Sequence, residues 1–164
     1  MYLKEIEIQG FKSFADKTRV VFDQGVTAVV GPNGSGKSNI TESLRWALGE
    51  SSVKSLRGGK MPDVIFAGTE TRKPLNYACV TVVLDNRDAF IKHAAKEIRV
   101  ERHIYRSGDS EYKIDGKKVR LRDVGLFLRK PRGFLNLRLV ARKRKLSWFR
   151  PRIIWTVWKT LFLN

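Results

Sequence analysis

Apolar and polar positions alternate from the start of the chain. Tyr2, Ile6, Ile8 and Gly10 fall on one side, and Glu5 and Glu7 on the other. A period of two predicts a strand with one wet face. Gly10-Phe11-Lys12-Ser13-Phe14 reads as a turn carrying two aromatic rings, and Thr18 to Phe22 as a second short strand. Asp23-Gln24-Gly25 has turn chemistry. The near-continuous apolar run Val26-Thr27-Ala28-Val29-Val30 predicts a strand buried on both faces, at the centre of a sheet. The period then changes. Ile40, Leu44, Ala47 and Leu48 recur at i, i+4, i+7 and i+8, one apolar stripe on a helix that begins near Ser38 and stops at Gly49.

Residues 51–73 are a polar, glycine-bearing connection around Ser55-Leu56-Arg57-Gly58-Gly59-Lys60. Beyond it, Asn76 to Asp85 and Glu97 to Arg106 are β-branched and aromatic runs. Residues 107–110 link the second run to Glu111–Asp115, and Asp115-Gly116 is a strong hairpin-turn dipeptide. Strands, then loop and helix, then an antiparallel set of strands predict an α/β fold with a mixed, partly antiparallel sheet. No internal repeat is visible.

The segment between the predicted central strand and the helix reads Gly31-Pro32-Asn33-Gly34-Ser35-Gly36-Lys37-Ser38, which fills every fixed position of G-x-x-x-x-G-K-[ST]. Glycines let the backbone wrap a phosphate with its N–H groups turned inward, and a helix N-terminus adds partial positive charge at the same point. Lys37 is placed to neutralise β- and γ-phosphate oxygens, and the Ser38 hydroxyl to ligate Mg²⁺. The plain alternative is a glycine-rich strand-to-helix turn. The complete motif with both flanks of the right type favours a nucleoside triphosphate site.

Composition adds limits. A chain of 164 residues, 42% of them hydrophobic, has the size of one domain. Its one cysteine, Cys79, lies in the apolar run Tyr77 to Leu84 and reads as a buried, inert thiol. No apolar stretch approaches the roughly 18 residues of a membrane span, and the N-terminus has no signal-peptide pattern. A cytoplasmic location is the expectation. His93 and His103 have no ligand or nucleophile at useful sequence spacing.

Charge divides the chain. Of 33 Lys and Arg, eleven lie in residues 124–164, where no Asp or Glu occurs; residues 1–123 keep 22 against all 16 acids, a net of +6 out of +17. The last segment also holds Arg142-Lys143-Arg144-Lys145 and three of the four tryptophans, Trp148, Trp155 and Trp158. Residues 1–123 therefore read as one unit, and 124–164 as a basic, Trp-rich tail that is disordered or non-native. Out-of-frame translation or gene truncation can produce such a change. A nucleic-acid contact of cations interleaved with stacking rings is another reading, and an interfacial helix over Leu146 to Leu163 a third.

Several stretches together resemble the N-terminal head segment of bacterial SMC (structural maintenance of chromosomes) proteins. They are residues 2–14, the loop Gly31 to Asn39, Ser43-Leu44-Arg45-Trp46-Ala47-Leu48-Gly49-Glu50, residues 55–66, and Tyr112-Lys113-Ile114-Asp115-Gly116-Lys117. The resemblance covers about residues 1–123 and implies the N-terminal lobe of an ABC-type P-loop ATPase head. It implies ATP and Mg²⁺ as cofactors, with Gly31, Pro32, Asn33, Gly34, Ser35, Gly36, Lys37, Ser38 and Asn39 around the triphosphate and Ser38 on the metal. It also implies Lys12 and Ser13 beside the nucleotide, and Arg57 as a head arginine that stimulates hydrolysis. DNA, a second SMC head and a kleisin subunit are the implied partners, in chromosome condensation and segregation at the nucleoid.

Read from residues alone, Lys12 is equally a surface charge and Arg57 a solvated loop arginine, although glycines beside Arg57 would let a guanidinium approach phosphate as a fork. A RecF- or RecN-like DNA-repair ATPase shares the lobe. A non-enzymatic basic nucleic-acid-binding fragment is the third functional class. Hydrolysis in this architecture needs an acidic residue on a second strand and a signature motif from a partner head, both of which the family keeps near its C-terminus. Val82-Val83-Leu84-Asp85 is the nearest imitation, and it reads better as an antiparallel strand. ATP binding with negligible turnover by this chain alone is the expectation, with a sheet edge and an apolar face left exposed.

Overall fold

The computed structural model describes residues 1–52, 56, 58–91 and 95–129. Arg57, His93 and the tail from residue 130 onward lie outside the described residues. Six strands, β1 (Tyr2–Gln9), β2 (Thr18–Val21), β3 (Tyr77–Asp85), β4 (Glu97–Tyr105), β5 (Ser110–Ile114) and β6 (Lys117–Val119), form one sheet in the order β2-β1-β3-β4-β5-β6. Every neighbouring pair is antiparallel. Helix α1 (Lys37–Ala47) packs against β3 and β4, a 3₁₀ turn spans Met61–Val64, and helix α2 (Leu121–Arg129) packs on β5.

Alternation builds the core. Ile6 and Ile8 lie opposite Val82 and Val80, Val82 lies opposite Val100, and all five side chains are fully buried. At about 1.5–3 kcal/mol for each such side chain, this central seam is the main source of sheet stability. A bulge between Leu3 and Glu5 adds one residue to β1. It brings Leu3, and not Tyr2 as the simple alternation predicts, into line with Ile6; Leu3 pairs with Leu84 and packs on the core. Glu5, expected on the wet face, is buried under Arg19 of β2, whose Nη2 donates to it at 2.6 Å and whose Nε donates to its other oxygen. The β5–β6 turn forms at Asp115-Gly116 with φ of +47° and +78°, the positive pair that a two-residue hairpin requires.

Helix α1 ends at a Schellman motif. Gly49, at φ +108°, donates to Trp46 O at 3.1 Å, and Glu50 donates to Arg45 O at 3.0 Å. Ile40, Leu44, Trp46 and Ala47 are buried, and the Trp46 ring stands 5.3 Å from that of Phe11 at 46°. Helix α2 runs across the compositional boundary at Asp123, with Val124 fully buried and the Asp123 carboxylate accepting from Arg120 N–H at 3.0 Å.

One expectation fails. Val26–Val30, read as a buried central strand, forms no ladder among the described residues; residues 26–28 are exposed, Val26 at 89%, and residues 29–30 are half-buried. Continuous apolarity makes a strand only where backbone partners flank it. Here β1 already has β2 and β3 on its two edges, and the sheet continues through β4, β5 and β6 without admitting the run, which lies in the long connection from β2 to β3.

Candidate functional site

The loop from residue 31 to 36 enters α1 through left-handed glycines, Gly34 at φ +85° and Gly36 at φ +82°. Gly36 is the N-cap residue. No side chain caps the helix, and no acidic residue occupies its first turn. The first-turn N–H groups thus keep the positive end of the helix directed at the loop, the condition for holding an anion. A Cβ at Gly36 would stand 2.9 Å from Ser13 Oγ and 3.8 Å from the Phe14 ring. Glycine at 36 therefore serves both the turn and a close approach by the Gly10–Phe14 segment.

Lys37 folds back over the loop, its ammonium donating to Gly31 O at 2.6 Å and to Pro32 O. Carbonyls are weak partners for an ammonium compared with phosphate oxygens, so these bonds can be exchanged for a triphosphate. Ser38 is exposed on the first turn of α1. Among the described residues no group of three or more His, Cys, Asp or Glu side chains could hold a metal ion. A metal here would depend on Ser38, phosphate oxygens and water, which suits Mg²⁺.

The Gly10–Phe14 turn braces this loop. Ser13 Oγ accepts from Asn39 Nδ2 at 2.8 Å. Lys12 points elsewhere: its ammonium pairs with Glu42 on α1 and donates to the Leu56 carbonyl. Lys12 N–H donates to Val64 O at 2.7 Å, and Phe66 N–H to Gly10 O at 2.8 Å, so the turn is also stitched to the Met61–Val64 segment. There the Asp63 carboxylate accepts from Lys60 and Gly59 N–H at 2.7 and 2.8 Å, which holds it below the usual carboxylate range.

Two residues of the site escaped sequence reasoning. Glu42 is buried on α1 although charged. Arg102 lies on the inward side of β4, in step with Ile98, Val100 and Ile104, and is only 2% exposed. Its Nη1 donates to Trp46 O at 2.7 Å and Glu50 O at 2.8 Å, and its guanidinium lies 4.4 Å from the Trp46 ring and 4.8 Å from the Tyr112 ring. Burial pushes its pKa down, against the raising influence of Tyr112 and Glu50. The signal was available: an arginine at a core position of an alternating strand must find carbonyls or rings, and the end of α1 supplies both.

Asp85 is remote from the loop. The bracing turn follows Gln9, which pairs with Cys79; Asp85 lies six residues farther along β3, roughly 20 Å at about 3.4 Å per residue. Its carboxylate accepts from Arg87 N–H at 3.0 Å and Arg87 Nε at 2.7 Å, bonds that hold its pKa down. It closes the turn after β3.

The sequence model described as the RecF/RecN/SMC N terminal domain matches residues 2–133. The chain is 60% identical over 124 residues to the chromosome partition protein Smc of Clostridium kluyveri, an alignment covering 76% of this chain and 10% of that protein. The chain thus spans about a tenth of the length of that curated relative. Among solved structures, an Smc head bound to the C-terminal winged-helix domain of ScpA superposes with a TM-score of 0.76 at 35% identity, over 78% of this chain and 40% of that one. An ATP complex of the recombination mediator RecF superposes less closely, with a TM-score of 0.58 at 27% identity, over 77% of this chain and 29% of that one.

Proposed function

The chain belongs to the RecF/RecN/SMC N-terminal domain family, and we propose that it is the ATP-binding N-terminal segment of an SMC-type chromosome partition ATPase head. The observation that carries this reading is the loop itself: an uncapped, acid-free helix N-terminus, two left-handed glycines and Lys37 folded across them. Gly31 to Asn39 would wrap the triphosphate. Lys37 would exchange its two carbonyls for β- and γ-phosphate oxygens, and Ser38 would take a coordination position on Mg²⁺. Bound magnesium would supply charge neutralisation between the phosphates. Ser13 keeps Asn39 in place through its hydroxyl. The higher identity to Smc than to RecF favours the chromosome partition reading over the repair reading.

In this reading the chain binds ATP without appreciable turnover, because Asp85 is engaged by Arg87 and far from the loop. The unpaired run at residues 26–30, exposed over 26–28, is where a strand from the C-terminal part of an SMC head would pair, giving the sheet its parallel component. DNA, a second head and a kleisin are the partners, and the nucleoid is the location. Arg57 would act at the same nucleotide.

Isothermal titration with ATP and Mg²⁺ tests the core of the proposal. The wild-type chain should bind, and K37A should weaken binding by at least about tenfold, the equivalent of losing one charge-assisted contact. Equal affinity for the two proteins would overturn it.

A further inference from the structure

In two places an asparagine or aspartate precedes glycine: Asp115-Gly116 at the β5–β6 turn and Asn33-Gly34 in the phosphate loop. The first pair is tied down. Asp115 Oδ1 accepts from Arg99 N–H at 2.7 Å, and Asp115 N–H donates to Arg99 O at 2.9 Å. The second is open. Residues 31–35 are exposed, and among the described residues neither the Asn33 side chain nor the Gly34 N–H has a hydrogen-bond partner. A Cβ built on Gly34 would meet nothing within 4 Å. One long bond, Ser35 N–H to Pro32 O at 3.4 Å, spans the pair. The firmer holds lie on either side, where Lys37 Nζ donates to Gly31 O at 2.6 Å and Asn39 Nδ2 to Ser13 Oγ at 2.8 Å.

An open pair of this kind reacts with itself. The main-chain nitrogen after an asparagine lies within reach of that side chain's carbonyl carbon, and glycine, lacking a Cβ, gives the least crowded approach. The Gly34 nitrogen attacks Asn33 Cγ: an N–Cγ bond forms, the Cγ–Nδ2 bond breaks, and ammonia leaves with the proton that the Gly34 nitrogen gives up. Water then opens the cyclic imide. Opening at the former side-chain carbonyl leaves aspartate at position 33, and opening at the main-chain carbonyl leaves isoaspartate, with an extra carbon in the backbone. This chemistry is what makes asparagine thermolabile. The other described asparagines are poorly placed for it. Asn39, Asn76 and Asn86 precede Ile40, Tyr77 and Arg87, and Asn86 Nδ2 donates to Ile91 O at 3.0 Å.

We propose that Asn33 is a deamidation site of the nucleotide loop, converted to aspartate or isoaspartate while no nucleotide is bound and protected while one is. The inference rests on the ATP-binding reading above and deepens it by giving the occupancy of the loop a covalent consequence. Protection follows from the bonds that a triphosphate would make. The loop N–H groups turn toward phosphate oxygens, and a Gly34 nitrogen engaged in that way is no nucleophile. Loss of binding follows from charge and geometry. A carboxylate at position 33 repels the phosphates that Lys37 would attract. Isoaspartate lengthens the turn that Gly34 and Gly36 set at φ +85° and +82°, so its N–H groups no longer converge on one anion. A loop that stays without nucleotide therefore loses its affinity irreversibly, and a loaded loop keeps it.

The test incubates the full chain in mildly alkaline buffer with Mg²⁺ alone, with Mg²⁺ and ATP, and in urea. Isoaspartate is counted by enzymatic methyl transfer, and the modified residue is located by peptide mass spectrometry. Without nucleotide, conversion at Asn33 should outrun that at Asn39, Asn76 and Asn86. It should also come within about tenfold of the rate in urea, because the fold holds neither reacting group. ATP at about ten times its Kd leaves roughly a tenth of the loops free, so the rate should fall about tenfold. N33Q should form no isoaspartate in this peptide, and N33D should bind ATP at least about fivefold more weakly than wild type. A folded rate more than about tenfold below the urea rate overturns the proposal, as does N33D binding with wild-type affinity. Calorimetry separates the two readings. No ATP binding by the wild type removes the underlying reading and the protection with it, whereas ATP that binds and leaves the conversion rate unchanged removes this inference alone.

Discussion

Replacing Arg102 with methionine removes a cation buried against the C-terminal end of the helix that follows the loop. Arg102 is 2% exposed and spends both Nη1 protons on the Trp46 and Glu50 carbonyls at the C-terminal end of α1. Two hydrogen bonds from a charged donor contribute about 1.5–3 kcal/mol each, and two ring contacts at 4.4 and 4.8 Å about 0.5–2 kcal/mol each. Against them stands the desolvation of the guanidinium, several kcal/mol, which is also what lowers its pKa. Methionine refills the stem volume and keeps a polarizable contact with the rings. Trp46 O retains Gly49 N–H at 3.1 Å, and both Trp46 O and Glu50 O lose the bond from Arg102. The balance is a loss of about 2–4 kcal/mol.

The assay is urea unfolding followed by far-ultraviolet circular dichroism. Tryptophan fluorescence would mix Trp46 with Trp148, Trp155 and Trp158. R102M should lower the midpoint without changing the slope, and R102K should fall between, because an ammonium can serve a carbonyl but cannot lie flat against two rings. A loss below about 1 kcal/mol, or a gain, would show that desolvation cancels the four contacts and would refute the assignment of Arg102 as the anchor of α1.

Two further outcomes follow from single residues. Gly36→Ala puts a Cβ 2.9 Å from Ser13 Oγ at φ +82°, so ATP affinity should drop by about tenfold or more, with a stability loss of about 1–2 kcal/mol; calorimetric titration and thermal unfolding check both. The Arg19 guanidinium holds the Glu5 carboxyl below the usual glutamate range. A lowered folded pKa stabilises above the unfolded pKa and is lost as pH falls through the folded one. Wild type should therefore exceed E5Q in stability by about 1 kcal/mol at neutral pH, where water screens the exposed arginine, and the difference should shrink below about pH 4.5. Unfolding curves for the two proteins from pH 7 to pH 3 measure it, and a constant difference would exclude the pair as its source.

The legible part of this fold was its local chemistry. Asp115-Gly116 specified its hairpin because the conformation it favours is the one the hairpin needs. Gly49 specified the end of α1 in the same way. The turn into α1 was legible because Gly34 and Gly36 set it through their own left-handed backbone. The surroundings of Lys12 were not, since its partners Glu42 and Leu56 lie thirty and forty-four residues away. Arg102 was hidden for a related reason: periodicity marked its position as inward, but the carbonyls that make an inward cation tolerable come from the end of α1.

The failed strand at residues 26–30 has a different origin, and it bears on how the loop works. Apolarity records that a segment is buried in some assembly, and says nothing of which chain segment buries it. Helix α1, on the exit side of the loop, is held by the Gly10–Phe14 turn through Ser13 and Lys12, and by Arg102 at its other end. On the entry side, among the described residues, Val26 is 89% exposed, Val29 packs partly on the core, and Gly31 and Pro32 accept from Lys37. The exit half of the loop is thus held by this chain's own turn and sheet, and on the proposed reading a neighbouring strand would complete the entry half. A bound triphosphate would draw Lys37 away from Gly31 and Pro32, and a neighbouring strand would fix those same residues from outside. On the proposed reading, nucleotide and partner strand then favour each other, because each orders backbone that the other needs, and linkage requires that coupling to be mutual.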